Sequence, residues 1–479
     1  MLKVQNLRGL TADSRQVQPG YLFAALPGRV HDGRLYIEEA VARGASAILA
    51  RPGTQISSQN IQFLIDKNPR KKFAQIAASF YKKQPKKIIS VTGTNGKTSV
   101  VSFVRHLLAQ LGISSGSIGT LGVQAPGMTF PSSLTTPDPV VLHAILADFS
   151  ERGIEHVALE ASSHGLDQYR LDGVHLAAAA FTNLTRDHLD YHGTMSAYLC
   201  TKLRLFSDLL PKGAPAVLNA DDPAFTIFRK AAVNRGARVW SYGLMGQDLR
   251  LLAISSTESG QMLELYVQEQ RFKVPFPLVG SFQVMNALCA LGLVVAMGWP
   301  VSAATAALAT LPFIPGRLQW AATHRHGAPI YVDYAHTPAA LETVLTALRL
   351  QTKNKLIVVF GCGGDRDKGK RTQMGSIAAR LADVVIITDD NPRSETPATI
   401  RADICVGCPG AYNIGNRSVA IKFAVSLLQP DDILLIAGKG HEKEQIMQNG
   451  RVQLCDDVEI CRHAVALAKT SSENMGEGG

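Results

Sequence analysis

The chain has 479 residues, of which 46% are hydrophobic and 18% are charged. This length suggests about three domains, and the apolar content is too high for a disordered chain. The formal net charge of +10 favours acidic partners such as nucleotides. The sequence contains no long run of like charges, so it lacks a basic tail that coats nucleic acid, and no nucleic-acid partner is expected.

The cysteines and the apolar segments bear on the cellular compartment. Seven scattered cysteines, an odd number, predict free thiols in a reducing cytoplasm, and the N-terminus has no apolar stretch typical of a signal peptide. The segment 274–316 has no charged residue, but its longest apolar run, 287–299, is shorter than the ~20 residues of a membrane span. A buried helix and a second helix opened by Pro300 are predicted instead, without membrane insertion.

Residues 1–86 are predicted to form a small α/β domain. The apolar run 21–26 follows a Pro19-Gly20 turn, a helical pattern covers 37–44, and the apolar run 47–50 is typical of a strand. The polar segment 82–87 contains a proline and has the composition of a hinge, so we place the first boundary after residue 86.

The second predicted domain spans residues 87–312 and begins with an apolar strand at 88–92. A glycine loop follows, and apolar residues then recur at helical spacing between 100 and 111. Further strands, at 157–159, 178–181 and 216–218, each end in polar residues. Because the carboxyl ends of parallel strands line the ligand site of an open α/β sheet, we expect the site at these strand ends.

The third predicted domain spans residues 313–479 and repeats the alternation of strands and helices. Strands are predicted at 330–332, 356–360, 384–387 and 433–436, with helices such as 339–348 between them. This pattern indicates a second doubly wound α/β unit. The predicted fold class is therefore α/β with three domains: a small N-terminal domain, a central ATPase-type domain with a phosphate loop, and a Rossmann-like C-terminal domain.

The loop from Gly93 to Thr98 carries the strongest functional signal. Its backbone amides and the N-terminus of the following helix would create a positive concavity for phosphate. Lys97 is placed to reach the terminal phosphates of a nucleotide, and the Thr98 hydroxyl to ligate Mg²⁺. Val91 occupies the position where the general phosphate loop has its first glycine. The strand and helix on either side of the loop nevertheless favour nucleotide binding.

Polar side chains at two strand ends are candidate metal ligands. Glu160 either holds the metal of the nucleotide or is an ordinary solvated strand end. His188 stands beside Asp187 after the next strand, which makes it a candidate ligand although single histidines are usually structural. Ser162 and Ser163 lack the elbow motif of hydrolase nucleophiles, so that interpretation is rejected.

Two other motifs are weaker. Residues 361–364 resemble a dinucleotide-binding loop but lack the spacing of the third glycine. Cys405 and Cys408 form a Cys-x-x-Cys motif without a second pair, so we predict small buried residues rather than zinc ligands or a redox pair.

Taken in order, the motifs of the chain resemble those of the Mur ligases, ATP-dependent amino acid ligases of peptidoglycan synthesis. The resemblance covers essentially the whole chain, and several motifs in one order are more specific than any single one. It rests on 92–98, Glu160 with 162–165, 183–188, 219–222, Gly316-Arg317 and 333–338.

Three further stretches resemble the members of the family that add diaminopimelate. The segments 13–15 and 31–34 are similar to their uridine-nucleotide contacts. Residues 135–138, with Gln168 and Arg170, are similar to their sugar-peptide contacts. Asp390-Asn391-Pro392-Arg393 is similar to their diaminopimelate motif, which 361–370 and 438–442 support.

The resemblance implies a set of site residues. The catalytic residues would be Lys97, Glu160, His188, Lys202 and Arg317. ATP would be bound by Gly93, Thr94, Asn95, Gly96, Lys97, Thr98, Ser99, Asn286, Arg317 and Asp333. The UDP-sugar-peptide would be bound by Ser14, Thr135, Thr136, Ser162, Gln168 and Arg170. Diaminopimelate would be bound by Arg366, Asp390, Asn391, Pro392, Arg393, Gly438 and Glu442. The metal ligands would be Thr98, Glu160, His188 and Lys202, the last as N6-carboxylysine.

A few positions depart from the family pattern. Gln283 replaces an asparagine of the adenine pocket, although Asn286 is kept. Ser99 replaces a threonine after the phosphate loop, and Cys200 with Thr201 changes the context of the lysine that the family carbamylates.

The chemistry implied by the resemblance is the attachment of meso-2,6-diaminopimelate to UDP-N-acetylmuramoyl-L-alanyl-D-glutamate. ATP would phosphorylate the D-glutamate side carboxylate, and the amine of diaminopimelate would displace phosphate from the acyl phosphate. Lys97, Mg²⁺ and Arg317 would neutralise the accumulating negative charge. ATP is thus a substrate, Mg²⁺ the cofactor, and a cytoplasmic monomer is expected.

Other functions stay open at this point. The closest alternatives are the same reaction with lysine, whose enzymes lack the Asp-Asn-Pro-Arg motif, and folylpolyglutamate synthesis, whose enzymes lack the first domain. A nucleic-acid-dependent motor would need a Walker B acid pair, and aromatic residues are only 6%. A catalytically silent nucleotide-binding scaffold is disfavoured because the residues for the chemistry are present.

Overall fold

The computed structural model describes residues 7–28, 32–55, 61–257 and 260–476, without the side chains of 256, 257, 449 and 468–476. His31, from the stretch that resembles a uridine contact, lies outside these ranges. Three separate main sheets are present, with a further two-stranded one in the last third of the chain. Within the described residues, we find no helix with the length and hydropathy of a membrane span.

The first sheet is parallel and has the strand order β1-β2-β3-β4. Its strands are β1 (Gly9–Thr11), β2 (Tyr21–Ala24), β3 (Ala47–Ala50) and β4 (Gln62–Ile65), and its helices are α1 (Ile37–Ala42) and α2 (Pro69–Tyr81). The strand predicted at 47–50 and the helix predicted at 37–44 are confirmed, the apolar run 21–26 contains β2, and β1 and β4 were not predicted. Leu22 and Leu49 pack against Phe73 of α2 on one face, and Phe23 and Ile48 form a core on the other.

The central sheet has eleven strands in the order β15-β14-β13-β12-β11-β10-β5-β9-β6-β7-β8. Its strands are β5 (Lys87–Thr92), β6 (Ser115–Gly119), β7 (Gly122–Ala125), β8 (Met128–Phe130), β9 (His156–Glu160), β10 (Leu176–Phe181), β11 (Pro215–Asn219), β12 (Arg238–Gly243), β13 (Leu249–Thr257), β14 (Gly260–Val267) and β15 (Gln270–Phe276). The predicted strands β5, β9, β10 and β11 are confirmed, and β5, β9 and β10 pair in parallel at the centre. The antiparallel strands β13–β15 were not predicted, and β15 takes the first residues of the charge-free segment.

Helices cover both faces of the central sheet and fill its two cores. They are α3 (Lys97–Gln110), α4 (Pro139–Glu151), α5 (Ser163–Asp167), α6 (Leu189–His192), α7 (Met195–Arg204), α8 (Phe225–Arg235), α9 (Ser281–Ala296) and α10 (Val301–Ala306). Helix α9 is buried on nearly all sides, because small and branched apolar residues let it pack closely against α3 and the sheet. The predicted buried helix and the helix after Pro300 are therefore confirmed.

The third sheet has the order β16-β17-β21-β18-β19-β20, and it is parallel except for β16. Its strands are β16 (Gln319–Thr323), β17 (Pro329–Asp333), β18 (Leu356–Phe360), β19 (Val384–Ile387), β20 (Tyr412–Asn413) and β21 (Ile433–Ala437), and β22 (Glu444–Ile446) pairs with β23 (Val452–Leu454). The helices are α11 (Pro338–Arg349), α12 (Lys370–Leu381), α13 (Pro397–Cys405), α14 (Arg417–Ser426) and α15 (Asp457–Gly476). The four predicted strands are confirmed. Cys408 is buried as predicted, whereas Cys405 is only half-buried at the end of α13.

A buried ion pair joins the first residues of α14 and α15. Arg417 donates to both carboxylate oxygens of Asp457 at 2.7 Å and to the Ala437 carbonyl at 2.9 Å, and both charged side chains are almost fully buried. We expect Arg417→Ala to lower the free energy of unfolding by about 3–5 kcal/mol, because it leaves Asp457 charged and unpaired in the core. Denaturant unfolding measures this. The control is Arg152→Ala, which breaks an exposed pair with Asp148 and should cost less than about 1 kcal/mol.

Candidate functional site

The phosphate loop connects β5 to α3, as the sequence predicts, and its glycines are sterically required. Gly93 and Gly96 have φ values of +150° and +86°. A Cβ atom at Gly93 would lie 1.8 Å from the Thr182 hydroxyl, and one at Gly96 would lie 2.3 Å from Asn286 Oδ1. The backbone amides of Thr94 and Asn95 donate to Asn183, which anchors the loop to the end of β10.

Lys97 folds back over the loop. Its ammonium donates to the carbonyls of Gly93 at 3.1 Å and Thr94 at 2.8 Å. Burial lowers the pKa of this amine, and the nearby Glu160 carboxylate opposes that shift. A half-buried cation that bonds to neutral carbonyls is well suited to receive a phosphate anion.

Glu160 lies at the end of β9 and is 1% exposed, so the interpretation as a solvated strand end is wrong. Thr120 donates to the carboxylate from its backbone amide at 2.8 Å and from its hydroxyl at 3.1 Å. The Thr98 hydroxyl donates to the same carboxylate at 3.1 Å. The carboxylate of Glu160 and the hydroxyl of Thr98 in the phosphate loop therefore lie together at the edge of the central sheet.

A cavity of about 430 Å³ lies over the phosphate loop and reaches the C-terminal sheet. Its lining includes most of the predicted ATP and metal residues: Thr94, Asn95, Gly96, Lys97, Thr98, Ser99, Glu160, His188, Lys202, Asn286, Arg317 and Asp333. It also includes Thr135 and Ser162 from the predicted sugar-peptide set. Residues predicted from eight separate segments thus converge on one space.

Arg317 and Asp333 bring the C-terminal sheet to this cavity. The Arg317 guanidinium donates to the Thr98 hydroxyl at 3.2 Å and lies over the Tyr334 ring, 4.5 Å from its centre. Asp333 accepts from the amides of Leu318 at 2.5 Å and Ala335 at 2.7 Å. Burial raises the pKa of Asp333 to about 6. An arginine from the third domain therefore reaches the phosphate loop of the second.

Lys202, on α7, is a buried lysine in the same cavity wall. Its side chain is 1% exposed, its amine donates to the Gly93 carbonyl at 2.7 Å, and it lies 4.5 Å from the Tyr198 ring centre. Burial, reinforced by the charge of Lys97, brings the pKa of Lys202 well below its usual value. A larger fraction of this amine is therefore neutral and nucleophilic than in an exposed lysine.

His188 immediately precedes α6 and lies close to the carboxylate of its neighbour Asp187. Its Nε2 lies 3.4 Å from Asp187 Oδ2, and burial lowers the pKa of the imidazole to about 4. The described residues include no cluster of three or more His, Cys, Asp or Glu side chains that could hold a metal. Glu160 and His188 thus need a further donor, and a carbamate on Lys202 would provide anionic oxygens of the type that Mg²⁺ prefers.

Gln283 and Asn286 lie one helical turn apart on α9. Asn286 Nδ2 donates to Gln283 Oε1 at 3.2 Å, and Gln283 Nε2 donates to the Arg317 carbonyl at 3.1 Å. Gln283, which replaces the asparagine of the family pattern, therefore forms hydrogen bonds that connect α9 to the backbone of Arg317. Ser99 is buried in the first turn of α3.

Five predicted sugar-peptide residues lie at one end of the central sheet. Thr135 contacts the Thr120 hydroxyl at 3.1 Å, and Thr136 contacts Ser162 Oγ at 3.0 Å. Arg170 donates to the Thr136 carbonyl at 2.7 Å and to Gln168 Oε1 at 2.8 Å. Ser162 also accepts from the Gly165 amide and so caps α5, which agrees with the rejection of a hydrolase nucleophile.

Ser14 is not part of that cluster. It is buried in the first domain, in the short helix after β1, and its hydroxyl donates to Glu39 at 2.7 Å. Nearby, Asp13 pairs with Arg15, and Asp32 pairs with Arg34 at 2.6 Å. The structure thus leaves Ser14 on a separate domain from the other five residues.

A second cavity, of about 190 Å³, lies at the carboxyl ends of the C-terminal strands. It is lined by the predicted residues Arg366, Asp390, Asn391, Arg393, Gly438 and Glu442. Arg393 has a φ of +51° and donates to the Gly364 carbonyl at 2.8 Å. Burial lowers the pKa of Arg393, as does the nearby charge of Arg366. Two neighbouring guanidinium groups in a cavity favour a carboxylate ligand.

The other wall of the second cavity is a buried polar network. Asn391 donates to Glu442 at 3.1 Å, and the fully buried Lys439 donates to both Asn391 and Glu442. Gly438 has a φ of +112°, and a Cβ atom there would lie 2.9 Å from Asp390 Oδ2. Pro392 is buried beneath this network, although it does not line the cavity.

Several site residues were not predicted. Thr120 holds Glu160, Tyr198 flanks Lys202, and Lys439 supports Asn391 and Glu442. Lys439 lies in the segment 438–442, which supports the predicted diaminopimelate motif, but only Gly438 and Glu442 of that segment were predicted as site residues. Thr120 carries no such signal.

Comparison with known proteins places the chain in a family. Three family models match in order: "Mur ligase family, catalytic domain" over 6–85, "Mur ligase middle domain" over 91–294, and "Mur ligase, glutamate ligase domain" over 316–440. A Brucella melitensis protein named UDP-N-acetylmuramoyl-L-alanyl-D-glutamate–2,6-diaminopimelate ligase is 51% identical, covering 98% of this chain and 96% of its own. The chain belongs to the Mur ligase family. The resemblance stated from the sequence is thereby confirmed.

Two further similarities agree with this result. A Rhizobium meliloti protein of the same name is 50% identical to this Mur ligase over 94% of the chain and 93% of its own length. A solved structure of a ligase with that name has a TM-score of 0.70 at 36% identity and covers 97% of this chain and 95% of its own. The three-domain α/β architecture of this Mur ligase is therefore that of its relatives.

Proposed function

We propose that this Mur ligase uses ATP to join meso-2,6-diaminopimelate to the D-glutamate of UDP-N-acetylmuramoyl-L-alanyl-D-glutamate, forming ADP and phosphate. The observation that best supports this proposal is that the two cavities are adjacent. The cavity over the phosphate loop and the cavity lined by Arg393 share the lining residues Asp187, His188, Tyr334 and His336. An activated carboxylate in the first cavity would therefore face an amine held in the second. The names of the relatives at about 50% identity support the same reaction.

The proposed chemistry assigns charge neutralisation to two cations. In the first step the D-glutamate side carboxylate attacks the terminal phosphate of ATP, and an acyl phosphate forms as ADP leaves. Lys97 would leave the loop carbonyls to bind the phosphates, and Arg317, already at Thr98, would contact the transferring group. In the second step the amine of diaminopimelate displaces phosphate and the amide forms.

We propose Mg²⁺ as the cofactor, held by Thr98, Glu160, His188 and carbamylated Lys202. When bound, Mg²⁺ would neutralise phosphate charge. The donors fit it because the Thr98 hydroxyl and the Glu160 carboxylate already lie 3.1 Å apart in the cavity wall. Thr120 would keep the carboxylate oriented through its two hydrogen bonds.

Binding is divided among the domains in this proposal. Residues 1–86, with Ser14, would hold the uridine nucleotide, and residues 87–312 would hold ATP and the sugar-peptide end of the substrate. Asn286 would face adenine, and Thr135, Thr136, Ser162, Gln168 and Arg170 would bind the sugar and peptide. Residues 313–479 would bind diaminopimelate, with Gly438 and Glu442 on its distal amino group. All seven cysteines are free thiols, which agrees with the proposed cytoplasmic location; light scattering would test the proposed monomer.

We expect Lys202 to carry a carbamate. A neutral buried amine adds to CO₂ and loses a proton, which converts it into an anionic oxygen ligand. Lys202→Ala should lower activity roughly 100-fold, because the phosphoryl group loses part of its electrostatic clamp. Added short-chain carboxylates should restore activity by replacing the missing oxygens. Phosphate release measures the loss and the rescue.

Two controls accompany the Lys202 prediction. Lys202→Arg should stay inactive with carboxylates, because the guanidinium is not carbamylated and fills the space. Lys212→Ala, at an exposed lysine before β11, should behave like the wild type. Full activity of a protein whose mass in bicarbonate buffer shows an unmodified Lys202 would contradict the prediction.

The test of the proposed function is phosphate release from ATP with the UDP-muramoyl dipeptide and one amino acid at a time. meso-Diaminopimelate should support rapid release and a product heavier by one diaminopimelate minus water, whereas lysine should be a poor substrate. Efficient ligation of lysine, or of glutamate to a folate, would replace the proposal by one of the alternatives. ATP hydrolysis without any ligated product would contradict the proposed ligase function.

A further inference from the structure

His336 occupies the passage between the two cavities. It follows β17, and it lines both the cavity over the phosphate loop and the cavity that contains Arg393. Its ring packs against Tyr334, with ring centres 4.6 Å apart. The backbone carbonyl of His336 accepts from Lys370 at 2.7 Å, which ties the loop to α12. The side chain therefore stands where an amine from one cavity would meet a carboxylate in the other.

The hydrogen bond of the ring selects its tautomer. His336 Nδ1 lies 2.8 Å from the Tyr334 carbonyl, which can only accept, so Nδ1 carries the proton. Nε2 therefore has a lone pair. Within the described residues, Nε2 makes no protein hydrogen bond. His441, which also packs on Tyr334, lines neither cavity. A fixed tautomer with its basic nitrogen available is the form required of a proton acceptor.

The groups around His336 keep it uncharged before substrate binds. Burial is the main influence that lowers its pKa, and the positive charges of Lys370 and Arg317 lower it further, while the Asp187 carboxylate and the bond to Tyr334 oppose them. His188 lines the same two cavities, and a positive charge on either imidazole disfavours protonation of the other. The ring is thus neutral near neutral pH, and the arrival of an anionic acyl phosphate would raise its affinity for a proton.

We propose that His336 is the general base that accepts a proton from the attacking amine of the amino acid substrate; this rests on the proposed ligase function. Amines are protonated at neutral pH and cannot attack in that form. The ammonium R–NH₃⁺ gives one proton to Nε2, the nitrogen lone pair forms the C–N bond, and the C–O bond to phosphate breaks. The second proton of the attacking nitrogen leaves with phosphate as HPO₄²⁻, and protonated His336 then returns its proton to water.

His336→Gln tests the proposal, because glutamine keeps a polar side chain of similar reach without a basic nitrogen. With diaminopimelate at neutral pH, we expect kcat to fall on the order of 100-fold, the usual lower bound for loss of a general base. The kcat of the variant should then rise in proportion to hydroxide concentration towards alkaline pH, as free amine becomes available. Wild-type kcat should be nearly constant over the same range.

Hydroxylamine provides a readout that a purely structural role would not give. It is uncharged at neutral pH, so it needs no base to attack the acyl phosphate, and its product is a hydroxamate. His336→Gln should form hydroxamate at nearly the wild-type rate while it ligates diaminopimelate slowly. The control His326→Gln, at an exposed histidine, should leave both rates unchanged.

The possible outcomes separate this proposal from the proposed function. Equal losses in the amide and hydroxamate reactions would overturn the general-base role, since His336 would then act before or during acyl phosphate formation. Unchanged ligation in His336→Gln would also overturn it. If the wild-type protein formed neither amide nor hydroxamate from the UDP-muramoyl dipeptide, the ligase function itself would fail.

Discussion

Arg393→Ala should lose most of the discrimination between meso-diaminopimelate and lysine, which we expect to be on the order of 10⁴ in the wild type. The two amino acids differ by one carboxylate at the far end of the side chain. Arg393 can bind that carboxylate through paired N–H groups, and Arg366 adds a second positive charge beside it. With lysine bound, neither guanidinium group would have a substrate carboxylate as its partner in the cavity. Competition between the two amino acids for ligation measures the ratio.

We expect kcat/KM to change in different directions for the two amino acids. kcat/KM for diaminopimelate should fall strongly in Arg393→Ala, while that for lysine should stay constant or rise, because a repulsive cation is removed. Arg380→Ala, at an exposed arginine on α12 that pairs with Glu342, is the matched control and should keep the wild-type ratio. A variant at Arg393 that discriminates as well as the wild type would show that specificity resides elsewhere.

Lys97→Ala should reduce ligation on the order of a thousandfold, because the phosphates lose the cation that the loop holds ready for them. Uridine-nucleotide binding should survive, since Ser14 lies in the first domain, which has a sheet of its own and does not contain the phosphate loop. Phosphate release measures the first effect, and calorimetric titration with the UDP-muramoyl dipeptide measures the second.

The control for Lys97 is Lys87→Ala, at an exposed lysine at the opposite end of the same strand β5. It should ligate like the wild type. Wild-type turnover in Lys97→Ala would contradict the proposal that the loop from Gly93 to Thr98 binds the phosphates of ATP. Loss of uridine-nucleotide binding in the same variant would indicate instead that the first two domains do not bind independently.

Local patterns explain which parts of the fold could be predicted from the sequence. Strands β5, β9 and β10 are continuous apolar runs because both of their faces are buried, and such runs are visible without a structure. Strand β14 alternates buried and exposed residues and contains glycine, glutamine and glutamate, so it has no continuous apolar run. The antiparallel strands of the central sheet were missed for that reason.

Site residues that depend on distant segments were harder to predict. Glu160 is ambiguous in the sequence because its burial is completed by Thr120, from another strand end. Lys439 is buried because Asn391 and Glu442 satisfy its ammonium, and those partners come together only in the folded third domain. Lys97 and Thr98, by contrast, follow from one loop, whose conformation is set by neighbours in sequence.

The close approach of Gly96 to Asn286 restricts how this protein can evolve. These positions lie far apart in the sequence, yet any side chain at 96 would overlap the amide of Asn286, only 2.3 Å from the required Cβ position. The residue at one of these positions therefore limits which residues are tolerated at the other. Lineages that change α9 around Asn286 must keep glycine in the loop, and we expect positions 96 and 286 to vary together among descendants of a common ancestor.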